Sequence, residues 1–389
     1  MFVRRILFSM LLLSTLVFPG CSDHMEIDRI SFPLAMGIDY DKTNNKIIVY
    51  AQISTVHSNQ DGQKQTVKSY KVLDGQGDTL LDAIADITSK GAQSISWKHI
   101  TVVVMTNEMA KHGIENELDL LCRFHQIHMN SYFMLTNEDL KELLESTPKI
   151  ETSLPTPLAG IRLVSMQSSH TKAITIREFA IAYLSEGREP VIPKVSIIKG
   201  DEEEITIDYP GLGVFQKNKL VGDLDEDASR GAVLAYGGKN ISRILIPAPK
   251  DGNHKDFTIR SIRSSPEIIP YLHQNMPGIT IKLDITYTLA QNSIPAKLDT
   301  EKNDWINSQI EAYIKNNVEA TLYKIQKELK SDIFGFGEEI YRKYPKYWED
   351  SKYKWKEIFP DIPINVEVKA NLKNTGELIN GLGFSIGED

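Results

Sequence analysis

Residues 310–329 read IEAYIKNNVEATLYKIQKEL. Within them Ile310, Ile314, Val318, Leu322, Ile325 and Leu329 recur every three or four residues, one apolar stripe along about six turns of helix. A helix with a single apolar stripe must bury it against another layer. β-Branched runs supply that layer: Ile241–Pro247, Phe257–Arg263 and Ile279–Ala290 read as strands before the helix, and Ile364–Leu372 as a strand after it. Two shorter helices, Glu338–Tyr344 and Tyr347–Glu357, lie between and are broken at Pro345. Residues 240–389 are therefore expected to form an α+β unit with the long helix packed on a sheet.

Toward the N-terminus the pattern changes. Pro33–Tyr40 and Lys46–Val56 flank the turn Asp41–Asn45 as a hairpin, and Thr66–Val72 continues it. A helix carrying Leu80, Leu81, Ile84 and Ile87 ends at Gly91. It is followed by a β-branched strand, Ile100–Met105, and a helix with Ile114, Leu118 and Leu121 on one stripe. Strand Ile127–Leu135 and helix Asn137–Glu145 repeat the alternation, which predicts α/β layers on a mixed sheet. A largely helical connector, residues 146–190, is punctuated by Pro148, Pro155 and Pro157, with Ile174–Leu184 as its amphipathic stretch before Gly187. Residues 191–239 hold short strands (Val191–Ile198, Gly211–Gln216, Lys219–Leu224), the acidic run Asp201–Glu204 and a helix over Ala228–Tyr236. The expected plan is mixed α/β and α+β in three domains: residues 21–190 with their connector, a small middle domain at 191–239, and 240–389.

Residues 1–20 hold Arg4 and Arg5, a thirteen-residue apolar core from Ile6 to Phe18, and Pro19-Gly20 before Cys21. That is the layout of a removable export signal, too short to span a bilayer. A cysteine directly after the apolar core resembles the lipobox of bacterial lipoproteins, in which the thiol takes a diacylglyceryl group and becomes residue one. Two acyl chains hold a protein stably at a membrane, each buried CH₂ contributing about 0.8 kcal/mol. Eleven residues separate Cys21 from Phe32, a reach of at most about 40 Å, so the first domain is expected near the bilayer. The chain has 389 residues with 44 Lys+Arg and 52 Asp+Glu; loss of residues 1–20 leaves 42 basic residues against 52 acidic, a net charge of −10. Such a body does not coat nucleic acid and does not cling to anionic headgroups through bulk charge. With two cysteines and one lipidated, no internal disulfide forms, and Cys122 is expected as a buried thiol.

The C-terminal helices carry a signature: Ser331-Asp332-Ile333-Phe334-Gly335-Phe336-Gly337-Glu338, then Tyr344-Pro345-Lys346-Tyr347-Trp348, then Trp355-Lys356-Glu357-Ile358-Phe359-Pro360, then Val366-Glu367-Val368 and Asn374-Thr375-Gly376. Together with Gly211–Phe215, Leu220-Val221-Gly222, Ser229-Arg230-Gly231 and Trp97-Lys98-His99, these residues resemble the Ger(x)C family. Those proteins are the C-subunit lipoproteins of spore germination receptors. After its lipidated cysteine the family commonly shows Trp then Asp; here Ser22 replaces Trp, while Asp23, Glu26 and Ile27 fit. The resemblance implies a non-catalytic subunit with no cofactor beyond the lipid on Cys21, held on the outer face of the spore inner membrane. Its partners would be a multi-span A subunit and a transporter-like B subunit, with nutrient contact at most indirect. In the motif itself the chemistry is structural: Gly335 and Gly337 permit backbone angles or close approach, Pro345 breaks a helix, and Trp348, Trp355 and Phe359 anchor helices to the sheet, with Gly376 closing the signature. Residues 341–357 interleave six basic and three acidic residues with aromatics. The simpler reading puts those rings inward and the lysines in solvent; the alternative is a surface facing a partner, a headgroup or even a nucleic-acid strand.

Other constellations fall short. Cys122, His125 and His128 are zinc-ligand types, but their spacing fans them around a helix. Asp223, Asp225 and Asp227 match the start of a calcium loop whose glycine and closing acid are replaced by Ala228 and Leu234. Neither a phosphate-binding loop nor a nucleophile elbow occurs. A second function class, an exported lipoprotein that captures a solute for a transporter, calls for two similar lobes around a cleft, whereas three unlike units are expected here.

Overall fold

A computed structural model describes Arg4 and residues 30–57, 67–90, 94–146, 155–201, 205–247, 257–291 and 300–374. Cys21, Gly376, Glu202–Glu204 and all of the export segment except Arg4 lie outside the described residues.

The first sheet assembles β2 (Pro33–Asp41), β3 (Lys46–His57), β4 (Val67–Gly77), β6 (Val102–Thr106) and β7 (Tyr132–Thr136) in the order β4-β3-β2-β6-β7. β3 runs antiparallel to both β2 and β4, while β6 is parallel to β2 and β7, so the sheet is mixed. A short parallel pair, β1 (Ile30–Ser31) with β5 (Ser94–Ile95), lies apart from it in the hydrogen-bonding pattern. Strand β6 is buried on both faces. Val103 and Met105 join one cluster with residues of α1 (Leu80–Lys90), α2 (Asn107–His112), α3 (Glu115–Arg123) and α6 (Ile176–Leu184). Val102 and Val104 join another with residues of α4 (Leu140–Glu145) and α5 (Ile161–Gln167). Burial on two faces is why this strand reads as a continuous apolar run. The expected strand at Ile127–Leu135 begins instead at Tyr132. Ile127 is buried, but its N–H donates to the Phe124 carbonyl within a turn.

A three-stranded sheet, β12-β11-β8, comprises β8 (Val191–Pro193), β11 (Leu212–Gln216) and β12 (Lys219–Leu224). The expected strand Val191–Ile198 is split here: β9 (Ser196–Lys199) pairs separately with β10 (Ile205–Asp208). Side chains of the three-stranded sheet go two ways. Ile192, Phe215 and Leu220 belong to a cluster of the first sheet, whereas Val191, Leu212, Val214 and Leu224 belong to the C-terminal cluster. Alternation along a strand thus shares this sheet between the two larger cores.

The C-terminal sheet has the order β13-β14-β15-β16, with β13 (Gly238–Ile246), β14 (Phe257–His273), β15 (Met276–Gln291) and β16 (Ile364–Asn374). The first three are antiparallel and β16 pairs in parallel with β15. The strands expected at Phe257–Arg263 and Ile279–Ala290 prove to be the start of one arm and most of the other arm of one long hairpin. Its turn is Gln274-Asn275, both at positive φ (49° and 64°), a conformation that suits a two-residue hairpin. Pro266, Pro270 and Pro277 disguise its central part as loop. Across this sheet lies α8 (Thr300–Tyr323), continued by a π-helical turn at Lys324–Glu328. Ile306, Ile310, Ile314, Val318, Leu322 and Ile325 are buried along it, and the helix packs on β16 and on α7 (Glu226–Tyr236). Among the described residues no helix is long and apolar enough to cross a membrane.

Candidate functional site

The signature residues 331–359 gather where three segments meet: the connector at 185–189, the β11–β12 turn, and the helices α9 (Phe336–Lys343), α10 (Pro345–Ser351) and α11 (Trp355–Ile358). Asp332 is the centre. It is 2% exposed, and each carboxylate oxygen accepts two hydrogen bonds. Oδ1 takes the N–H groups of Gly335 (2.9 Å) and Phe336 (3.0 Å); Oδ2 takes the N–H of Gly337 (2.9 Å) and the indole Nε1–H of Trp355 (3.0 Å). Gly335 has φ +77°, a left-handed turn that folds the chain back so that successive N–H groups aim at one carboxylate. The same carboxylate faces the start of α9, where unpaired N–H groups and the helix dipole favour negative charge. Burial nevertheless dominates: it pushes the Asp332 carboxyl up to about 6, against the lowering by its four donors.

Asp332 also reaches the connector, its carbonyl accepting from the Glu189 N–H at 2.9 Å. Beside it two glycines touch backbone to backbone. A Cβ on Gly337 would stand 2.7 Å from the Gly187 Cα and 2.5 Å from Cη2 of Trp348. The Glu338 N–H donates to the Gly187 carbonyl at 3.3 Å, and the Ser185 hydroxyl donates to the Glu338 carboxylate at 2.6 Å. Ser331 donates to the Phe215 carbonyl at 2.7 Å, which ties in the middle sheet.

Pro345 occupies the first turn of α10, where its missing N–H has no helical partner to lose. Trp348 and Trp355 pack edge to face at 5.4 Å, and Trp355 lies 6.1 Å from Phe359. All three are buried in one cluster with Ile279, Ile281 and Leu283 of the sheet. The other aromatics of the 341–357 strip divide: Tyr341 is 51% exposed and Tyr353 is 88% exposed, so the reading of all rings inward does not hold for them. Around Trp355 and Asp332 opens a cleft of about 490 Å³, rimmed by Arg188, Glu189, Lys217 and Lys330.

Cys122 corrects the expectation of a buried thiol: it is exposed, on the outer side of α3. His125 and His128 are also exposed, and among the described residues no group of three His, Cys, Asp or Glu side chains is placed to hold a metal. Asp223 and Asp225 are engaged by cations, at 2.6 Å from Lys194 and 3.5 Å from Lys324, and Asp225 caps α7. In the sequence Asp332 stands only as one letter of the signature and Gly187 only as the end of an amphipathic stretch, and Arg188 is not marked at all. The signal for Asp332 is an acid placed three to five residues before Gly335-Phe336-Gly337 at a helix start.

Two family models cover nearly the whole chain. The spore germination protein N-terminal domain matches residues 23–197, and the spore germination B3/GerAC-like C-terminal domain matches residues 210–376. This chain belongs to the Ger(x)C family of spore germination proteins. Family relatives in Bacillus subtilis (strain 168) include spore germination protein KC, 24% identical with all of both chains covered. Spore germination protein B3 is 22% identical over 95% of this chain and 97% of its own. The crystal structure of the GerBC protein has the same fold, with a TM-score of 0.53 and 18% identity over 88% of this chain and 98% of that one. The Asp332 junction thus lies within the C-terminal family domain, and Gly187 and Arg188 within the N-terminal one.

Proposed function

We propose that this protein is the membrane-anchored, non-catalytic C subunit of a spore nutrient receptor, acting in germination by docking on integral-membrane A and B subunits. The supporting observation is the juxtaposition of an export signal ending in Cys21 with a germination-family N-terminal domain that opens at residue 23. On this reading a diacylglyceryl group on Cys21 holds the body on the outer face of the spore inner membrane, two acyl chains giving stable attachment. Ile30, where β1 begins, follows Cys21 by nine residues, a reach of about 30 Å, so the first sheet stays beside the bilayer and its neighbours. Asp332, the most strongly perturbed carboxylate of the junction, is spent on four structural donors, which suits a scaffold.

Cys21→Ala tests the anchor. The variant is expected in the soluble fraction of spore lysates, with loss of nutrient response in a strain lacking redundant receptors. Retention at the membrane, or normal germination of a full deletion strain, counts against the reading.

A further inference from the structure

Three arginines of this chain pair with acids: Arg123 with Asp119 at 2.8 Å, Arg230 with Asp227 at 2.8 Å, Arg342 with Glu339 at 2.5 Å. Arg188 does not. Its Nε is buried without a partner, and among the described residues no hydrogen bond or ion pair reaches its guanidinium. The residue as a whole is half-buried, and its Nε–H is withdrawn from water without a protein acceptor.

Arg188 stands in the wall between two cavities, the cleft of about 490 Å³ and a smaller one of about 170 Å³, both of which it lines together with Glu189. Lys330 and Lys356 also line a third space of about 530 Å³. Its acids are already committed. Asp332 holds four donors, Glu186 lies 3.6 Å from Lys352, and the Glu189 carboxylate accepts the Lys217 N–H at 2.5 Å. Of its cations, Lys352 pairs with Glu186 and Glu349, and the charges of Lys217 and Lys356 act on the Glu189 carboxylate. Neither the Lys330 nor the Lys356 ammonium has a hydrogen-bond or ion-pair partner among the described residues, and Lys217 donates only to the Ser185 carbonyl, at 3.1 Å. On the far side of Arg188, burial and the Arg188 charge both lower the Lys172 ammonium, whose Nζ sits 4.2 Å from the centre of the Tyr236 ring. In a chain of net charge −8 the cleft thus gathers five cations, Arg188, Lys217, Lys330, Lys352 and Lys356, against three acids, Glu186, Glu189 and Asp332.

We propose that this cleft binds a multiply charged oxyanion, of phosphate or polycarboxylate type, clamped by Arg188 and completed by Lys330 and Lys356. A guanidinium presents parallel N–H groups that match two oxygens of such a group, while lysines act as point charges at its edges. The volume of the cleft suits a small organic anion more than a halide.

Calorimetry on the full-length chain in detergent, titrated separately with inorganic phosphate and with citrate at constant ionic strength, tests the site. Saturable binding of at least one is expected, with a raised melting temperature. Binding of phosphate alone or of citrate alone assigns the oxyanion type. Arg188→Gln is expected to weaken it at least about tenfold, and the exposed Lys330→Gln a few-fold with an unchanged ligand-free melting temperature. Lys315→Gln, on the solvent side of α8, is the control and leaves affinity unaltered. Absence of saturable heat with both anions overturns the proposal. So does wild-type affinity in both Arg188→Gln and Lys330→Gln, the second of which keeps the test decisive if the first unfolds the chain.

Discussion

Residues 331–337 and residues 122–128 are both short stretches in which an acid or a thiol stands near further polar or ligand-type groups, yet they end in opposite states. The first converges: a left-handed Gly335 turns three backbone N–H groups onto Asp332, and Trp355, eighteen residues past the end of that stretch, adds a fourth donor. The second disperses: Cys122, His125 and His128 all face solvent, while Ile127 is buried and Phe124 packs partly buried on the same core. The difference is one of supporting layers. A carboxylate becomes a hub when other elements enclose it and leave it no water, whereas ligand-type side chains on the outer side of one helix and turn have nothing opposite them.

The sharpest way to break this contrast is Asp332→Ala, which strands four buried donors and is expected to cost about 3 kcal/mol in urea unfolding. The same residue sets a pH signature. Its folded pKa, about 6, lies above the ordinary 3.8, so the folded state holds the proton more tightly than the unfolded one. Its contribution is therefore fully present below about pH 4 and is lost as pH rises through 6. The wild type should show that slope in unfolding free energy and Asp332→Ala should lack it.

Gly337→Ala comes next. Its new methyl meets the Gly187 backbone, which cannot yield as a flexible side chain would, and a loss of about 2 kcal/mol is expected in the same assay. Trp355→Phe keeps an aromatic ring in the cluster and deletes one donor to Asp332, for about 1 kcal/mol. At the dispersed stretch Cys122→Ser should change stability by less than about 0.5 kcal/mol, and the wild-type thiol should label with a maleimide without denaturant, though slowly because partial burial and Asp119 push the thiol up. Labelling only after unfolding, or a large loss in the serine variant, would erase the contrast between the two stretches.

Sequence periodicity found α8 through its long apolar stripe, but the helix begins at Thr300, ten residues before Ile310, and Leu329 lies past its end. It located β12 at its observed bounds, since Lys219–Leu224 alternates between a polar turn and a glycine-relieved end. It failed at β14 and β15, where prolines in the middle of a hairpin mimic a loop, and at Ile127, whose burial comes from a turn and not from a strand. Within the site, Gly335, Gly337, Trp348, Trp355 and Phe359 stood out by residue type. Gly187 and Arg188 did not, because their role depends on what the far segment brings against them.

The amino-acid order by itself determined the layers of sheet and helix and the aromatic and glycine signature near the C-terminus, since each is a local pattern of polarity or backbone freedom. Tertiary structure alone decided that Gly187 meets Gly337, that the middle sheet is shared between two cores, and that Arg188 is left beside a cleft without an acid. Those outcomes rest on contacts between residues up to about 150 positions apart, which no local periodicity encodes.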